Sequence, residues 1–130
     1  MRRQMTNKRA QRYSRRMPHG SARLRLARRF VGVWRQVPNS FDTSTVAYSV
    51  TLRDRRIVIS GVDESDGVEL EVFDPIIRRR ELRFTSYFPP TKHTAGHIWR
   101  LLGKRWALHQ VRYKYRGSYY GGDEVWEKAR

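Results

Sequence analysis

The chain has 130 residues, a length typical of one domain, and a formal net charge of +16. It contains no cysteine, which excludes disulfides and thiolate metal sites. No apolar run approaches the roughly 18 residues that cross a membrane, and no apolar stretch of a secretory signal follows the basic N-terminus. We therefore expect one domain, and the lack of a secretory signal favours a cytoplasmic location.

The positive charge is concentrated at the N-terminus. Residues 1–29 hold eleven of the 28 basic residues and no acidic one, and the rest of the chain has a net charge of only +5. Residues 22–29 are long enough for about two helical turns, but Leu24 and Leu26 are two positions apart and do not share a helical face. Residues 1–28 are therefore predicted to be a disordered basic tail. An Arg-rich, acid-free composition is also typical of mitochondrial transit peptides.

Beyond residue 29 apolar and polar residues alternate, which is the period of a β-strand. Polar and Gly/Pro-containing turns divide this region into about eight predicted strands: Phe30–Val37, Thr43–Thr51, Arg56–Val62, Val68–Phe73, Glu81–Phe88, Gly96–Leu101, Arg105–Tyr115 and Asp123–Lys128. Short strands with tight turns predict an all-β fold, an antiparallel up-and-down meander over residues 29–130 that closes into a small barrel. A two-sheet sandwich or a half-open barrel is the alternative.

The first predicted strand opens with the run Arg29-Phe30-Val31-Gly32-Val33-Trp34. This run resembles the basic–aromatic–x–Gly–x–Trp signature that opens the first strand of lipocalins and related small barrels. The resemblance extends over about residues 29–130, implies a small lipocalin-like barrel, and makes Gly32 and Trp34 its structural signature. It also implies that a basic side chain covers the tryptophan, with three candidates: Arg112, Arg116 and Arg130.

An eight-stranded barrel has an interior that side chains can fill or that holds one small ligand. The resemblance to lipocalins implies the second use, so the expected function is that of a non-enzymatic binding module for a small apolar molecule, without a cofactor. The strand alternation places the candidate ligand-binding residues in the lumen: Tyr48, Phe84, His97, Trp99, His109, Val111 and Tyr113. Catalytic motifs such as a nucleophile elbow or a phosphate-binding loop are absent from the sequence.

Two of these candidates, His97 and His109, are predicted to form a pair. If residues 102–104 are a three-residue turn, Leu101 pairs with Arg105 and the two histidines lie directly opposite each other. Two inward histidines can share a metal, a haem or a polar ligand group. A metal usually takes at least about three protein ligands, and the nearby sequence adds only His93. We therefore predict no metal, and a buried pair of which at least one ring is neutral at about pH 7.

The basic tail provides an alternative function. Its cations attract phosphates, with an affinity that falls as salt rises. The candidate nucleic-acid contacts are Arg2, Arg3, Arg9, Arg12, Arg15 and Arg16. Only Tyr13 and Phe30 lie between these charges as stacking groups, so sequence-specific reading of bases is not expected. The sequence thus supports either a small-ligand module or a nucleic-acid-associated protein, and it does not indicate an oligomeric state.

Overall fold

Antiparallel strands close into a barrel in the computed structural model, which describes residues 11–38, 44–115 and 118–130. Within those residues eight strands follow one another around the barrel, and the last pairs with the first. They are β1 (Gly32–Gln36), β2 (Val46–Arg53), β3 (Arg56–Asp63), β4 (Val68–Arg78), β5 (Glu81–Phe88), β6 (His93–Leu101), β7 (Trp106–Tyr115) and β8 (Ser118–Lys128). The predicted all-β meander is confirmed, and the barrel is closed.

Three strands are longer than the alternation predicts by three residues or more. β4 continues past Phe73 to Arg78 because a register shift follows Phe73, where Asp74 has a φ of 53°, and the strand resumes pairing at Ile76. An irregularity of this kind accommodates Pro75, which has no N–H for a regular ladder. β6 begins at His93 rather than Gly96. β8 begins at Ser118, so most of the loop predicted over residues 116–122 is strand.

A helix, α1 (Ala22–Phe30), precedes the barrel. Ser21 caps its N-terminus, where the Ser21 hydroxyl accepts a hydrogen bond of 3.1 Å from the Leu24 backbone N–H. Leu24, Ala27 and Phe30 are buried and spaced three apart, so they form one apolar face, which packs against β2 and β4. The prediction of a disordered tail is therefore wrong for this segment. The sequence pattern did not reveal this face, because besides Leu24 it contains Ala27, a small residue, and Phe30, which was assigned to the first predicted strand.

The segment before α1 is also bound to the barrel. The backbone N–H groups of Ser14 and Met17 donate to the carbonyl groups of Ile57 and Arg55 over 3.0 and 2.9 Å. The Ser14 hydroxyl accepts from the Ile57 N–H at 2.7 Å, and Met17 joins the buried core. Residues 11–17 therefore lie along β3 rather than forming the predicted tail. Residues 1–10, with the candidate contacts Arg2, Arg3 and Arg9, lie outside the described residues.

The end of the barrel next to α1 is filled with aromatic side chains. Trp34, Trp99 and Trp126 are fully buried, with ring-centre distances of 5.4 Å between Trp34 and Trp99 and 5.2 Å between Trp99 and Trp126. Phe30 from α1 adds a further ring 6.4 Å from Trp34. Such aromatic packing contributes strongly to core stability.

In the described part of the chain, no helix has the length and apolar character needed to cross a membrane.

Trp34 is covered by a cation, as the resemblance implies, but the residue is Lys128. Its Nζ lies 5.6 Å from the Trp34 ring centre and donates a hydrogen bond of 2.9 Å to the Arg29 carbonyl in the last turn of α1. Gly32 has a φ of 144°, and a Cβ at this position would overlap the Lys128 side chain. Arg112 and Arg130 were therefore wrong predictions, and the third candidate, Arg116, lies outside the described residues.

Candidate small-molecule site

The opposite end of the barrel opens into a cavity of about 570 Å³. The helix-covered end lies at the start of β1, at Gly32, whereas the cavity is reached at its last residue, Gln36. Pockets of roughly 300–1,000 Å³ are typical of small-molecule sites. The barrel thus has one end packed with side chains and one end with room for a ligand.

Most of the predicted ligand-binding residues line this cavity. Five of the seven do so: Tyr48, His97, His109, Val111 and Tyr113. The other two, Phe84 and Trp99, are buried in the core, where Phe84 stacks on His97 with ring centres 4.5 Å apart. They belong to the packed core next to the cavity and do not line it.

Glu124 and Trp126 also line the cavity, although neither is among the seven predicted ligand-binding residues. Glu124 lies opposite His109 in the β7–β8 ladder, and Trp126 lies opposite Ala107. Since alternate residues of a strand share a face, the inward position of Trp126 also places Glu124 inside the barrel. The signal was available in the predicted last strand, where the glutamate stands two residues before a large aromatic residue.

His97 and His109 form the predicted pair, but in a different register. The ladder pairs Leu101 with Ala107, so His97 lies opposite Val111 and His109 opposite Trp99. The predicted direct opposition is therefore wrong, because the turn is two residues longer than assumed. A shift by an even number of residues keeps both side chains on the inner face, and the rings meet diagonally with Nδ1 of His97 2.7 Å from Nε2 of His109.

The histidine pair belongs to a longer chain of buried polar groups. Nε2 of His97 lies 2.6 Å from the Ser86 hydroxyl. At the other end, Nδ1 of His109 lies 3.5 Å from a carboxylate oxygen of Glu124. This Nδ1 is buried and has no hydrogen-bond partner among the described residues.

Burial keeps the central groups of this chain uncharged. It lowers the pKa of His97 to about 3, and burial together with the neighbouring His97 lowers the pKa of His109 to about 2. Burial also raises the pKa of Tyr48 to about 12. These directions agree with the prediction of at least one neutral ring. At neutral pH the floor of the cavity therefore offers neutral hydrogen-bonding groups.

The described residues contain no cluster of three or more metal-ligating side chains. His93, which the sequence offered as a third ligand, is exposed and stacks on Tyr113 with ring centres 6.2 Å apart.

A second concave surface lies where the N-terminal segment crosses β3. It brings Arg12, Arg15 and Arg16 together with Arg56 and Tyr13. The Arg56 guanidinium lies 5.0 Å from the centre of the Tyr13 ring. Arg16 pairs with Asp54, and Arg12 lies 3.8 Å from Glu71. We call these five residues, Arg12, Tyr13, Arg15, Arg16 and Arg56, the arginine groove.

The fold and the cavity together define a small antiparallel barrel with one packed and one open end. Comparison of the chain with protein-family models, with curated proteins and with solved structures gives no match.

Proposed function

We propose that the protein is a non-enzymatic, lipocalin-like binding module that takes one small, largely apolar molecule into the open end of its barrel. The observation that carries this proposal is the cavity of about 570 Å³ above a packed aromatic core. Ligand sites are typically concave and mostly apolar, with a few polar groups that orient the ligand. Here Val46, Val111 and Trp126 offer apolar walls, and the histidine pair offers the polar floor.

The lipocalin-like assignment is supported by the way the closed end is built. Gly32 makes room for Lys128, and Lys128 covers Trp34 while holding the end of α1. Each residue of the signature thus has a physical task in closing the barrel. A barrel closed at one end has a single entrance, which is the arrangement that a small-ligand carrier requires.

Titration of the protein with N-phenyl-1-naphthylamine, a neutral apolar dye whose fluorescence rises on burial, tests this proposal. We expect saturable binding of one dye per chain. Val111→Trp, which fills the cavity from β7, should abolish binding. Val125→Trp is the matched control, because Val125 is 40% exposed and does not line the cavity. Equal binding by the two variants would contradict the proposal.

The arginine groove supports a second candidate function, binding of single-stranded nucleic acid through phosphates. The Arg12 and Arg16 side chains are 74% and 47% exposed, and Tyr13 is 46% exposed beside them. Exposed arginines around an aromatic ring suit a backbone phosphate and a stacked base. The proposed phosphate contacts thus lie in the arginine groove beside β3, and any contacts from residues 1–10 would add to them.

Fluorescence anisotropy with a labelled single-stranded oligonucleotide tests the groove. Arg15→Ala/Arg56→Ala should weaken binding and reduce the slope of log affinity against log salt by about 1 for each phosphate that the variant no longer binds. Arg78→Ala/Arg79→Ala removes the same charge from exposed positions outside the groove. If both pairs weaken binding equally, only net charge matters and the groove is not a site.

A further inference from the structure

The end of the barrel that α1 covers is rich in positive charge. Successive turns of an up-and-down barrel alternate between its two ends, so the β2–β3, β4–β5 and β6–β7 turns lie at this end. Residues 53–56 contain three arginines and residues 78–80 contain three more, whereas the β3–β4 turn at the open end contains Asp63, Glu64 and Asp66. The helix-covered end is therefore a concentrated source of positive charge.

The outer side of α1 adds to this charge. Arg25, Arg28 and Arg29 are three or four positions apart, so they lie on one side of the helix, away from the buried Leu24 and Ala27. All three arginines are exposed. No ion pair within the described residues involves them. The helix thus presents three cations to the solvent that no acidic side chain of the described chain neutralises.

The β6–β7 turn brings apolar side chains next to these cations. Leu102 in this turn is 58% exposed, and Trp106 at the start of β7 is 42% exposed. Lys128 joins the turn to the end of α1, because its Nζ donates to the Arg29 carbonyl over 2.9 Å and its own carbonyl accepts from Nε of Arg105 over 3.2 Å. We call this surface the basic face, and it consists of exposed residues of α1 and of the β6–β7 hairpin: Arg25, Arg28, Arg29, Leu102, Lys104 and Trp106.

We infer that the basic face binds the surface of an anionic lipid bilayer. Lysine and arginine side chains are attracted to anionic headgroups, while exposed leucine and tryptophan side chains enter the boundary between headgroups and acyl chains. A nucleic acid would also attract the cations. The exposed Leu102 favours the bilayer, because an aliphatic side chain neither pairs with a phosphate nor offers a base an aromatic ring for stacking. In this orientation the open end of the barrel points away from the bilayer.

Flotation of the full chain with vesicles tests this inference. We expect the protein to float with vesicles of phosphatidylcholine and phosphatidylglycerol in equal parts, and to remain unbound with vesicles of phosphatidylcholine alone. Added salt should reduce the bound fraction, because it screens the attraction between the arginines and the headgroups. Equal flotation with the two kinds of vesicle, or flotation with neither, would overturn the inference.

Two charge variants locate the binding surface. Arg28→Gln/Arg29→Gln should lower the affinity for the anionic vesicles at least about tenfold. Lys92→Gln/Arg112→Gln is the matched control, because it removes the same charge from exposed positions outside the basic face, and it should lower the affinity much less. An equal loss in the two variants would mean that net charge alone drives binding, and the basic face would not be the site.

The fluorescence of Trp106 tests whether this face enters the bilayer. The other three tryptophans are buried, so acrylamide quenches mainly Trp106. Anionic vesicles should protect it from quenching and shift its emission to the blue. Leu102→Ser should lower vesicle affinity at least about threefold, whereas Val125→Ser, which changes an exposed apolar residue outside the basic face, should not. Unchanged quenching of vesicle-bound protein would show that the face does not enter the bilayer and would contradict the inference.

Fluorescence anisotropy with a labelled RNA duplex separates the two anionic partners. If the unaltered chain binds the duplex but not the anionic vesicles, and Arg28→Gln/Arg29→Gln weakens that binding, the basic face is a nucleic-acid surface and the bilayer inference is wrong. Neither result bears on the proposed ligand site, because the cavity lies at the opposite end of the barrel.

Discussion

At the scale of single residues, the closed end depends on the contact among Gly32, Trp34 and Lys128. The indole Nε1 of Trp34 donates a hydrogen bond of 2.8 Å to the Phe30 carbonyl, which fixes the ring against the end of α1. Lys128 covers the same ring and donates a hydrogen bond to the carbonyl of Arg29, one of the carbonyl groups at the C-terminus of α1 that lack an intrahelical partner. These three residues connect the end of α1 to the barrel, and we call Gly32, Trp34 and Lys128 together the helix–barrel joint.

Substitution of this joint should be costly. Gly32→Ala places a side chain at a φ of 144° and displaces Lys128, so we expect a loss of about 1–3 kcal/mol in the free energy of unfolding. Trp34→Ala should lose about 3–5 kcal/mol, because it removes a fully buried indole. Urea denaturation measures both. A denaturant midpoint unchanged by Trp34→Ala would show that the joint does not stabilise the barrel.

The histidine pair makes a second prediction, for the dependence of stability on pH. Both folded-state pKa values lie below the ordinary value of 6.5. The two histidines therefore bind protons in the unfolded chain at pH values at which they stay neutral in the folded chain. The free energy of unfolding should therefore fall as pH decreases, by about 2 kcal/mol per histidine between pH 7 and pH 5.

Urea denaturation at fixed pH values between these limits measures this loss. The variant His97→Gln/His109→Gln lacks the two titrating rings, so its stability should change much less over the same range. A wild-type stability that stays flat from pH 7 to pH 5 would mean that the rings are protonated without cost in the folded state.

At the scale of elements, alternation was a good guide to strand faces and a poor guide to registers and to α1. It placed His97 and His109 inside correctly, because an error of two residues in turn length leaves the face unchanged. Alternation does not fix the length of a turn, however, so the predicted direct opposition of the two histidines was wrong. The helix was missed because its buried face uses Ala27, which contributes little to an apolar count, and Phe30, which also fits the strand pattern.

The helix should contribute measurably to the stability of the barrel. Leu24 is almost fully buried on the face that closes the end of the barrel, so Leu24→Ala should lower the free energy of unfolding by about 2–5 kcal/mol. Leu102→Ala is the matched control, because Leu102 is 58% exposed in the β6–β7 turn and should change stability little. Equal midpoints in thermal denaturation of the two variants would mean that α1 is not part of the folded core.

At the scale of the whole molecule, the sequence predicted a barrel but not whether its lumen is open. Alternation identifies the side chains that face inward, yet the free volume depends on how these side chains pack along the axis. The three inward tryptophans and Phe84 fill one part of the lumen, whereas His109, Val111 and Gly122 border the open part. The partition into a packed end and an open end is therefore a property of the tertiary structure.

The indole N–H resonances of the four tryptophans test the proposed binding site most directly, because each reports on a different place in the fold. Trp126 lines the cavity, Trp34 and Trp99 lie in the packed core, and Trp106 is exposed. On saturation with N-phenyl-1-naphthylamine in an NMR titration, we expect the largest shift at Trp126 and almost none at Trp34 or Trp106. A shift centred on Trp106, with Trp126 unchanged, would place the ligand outside the barrel and contradict the proposed binding site.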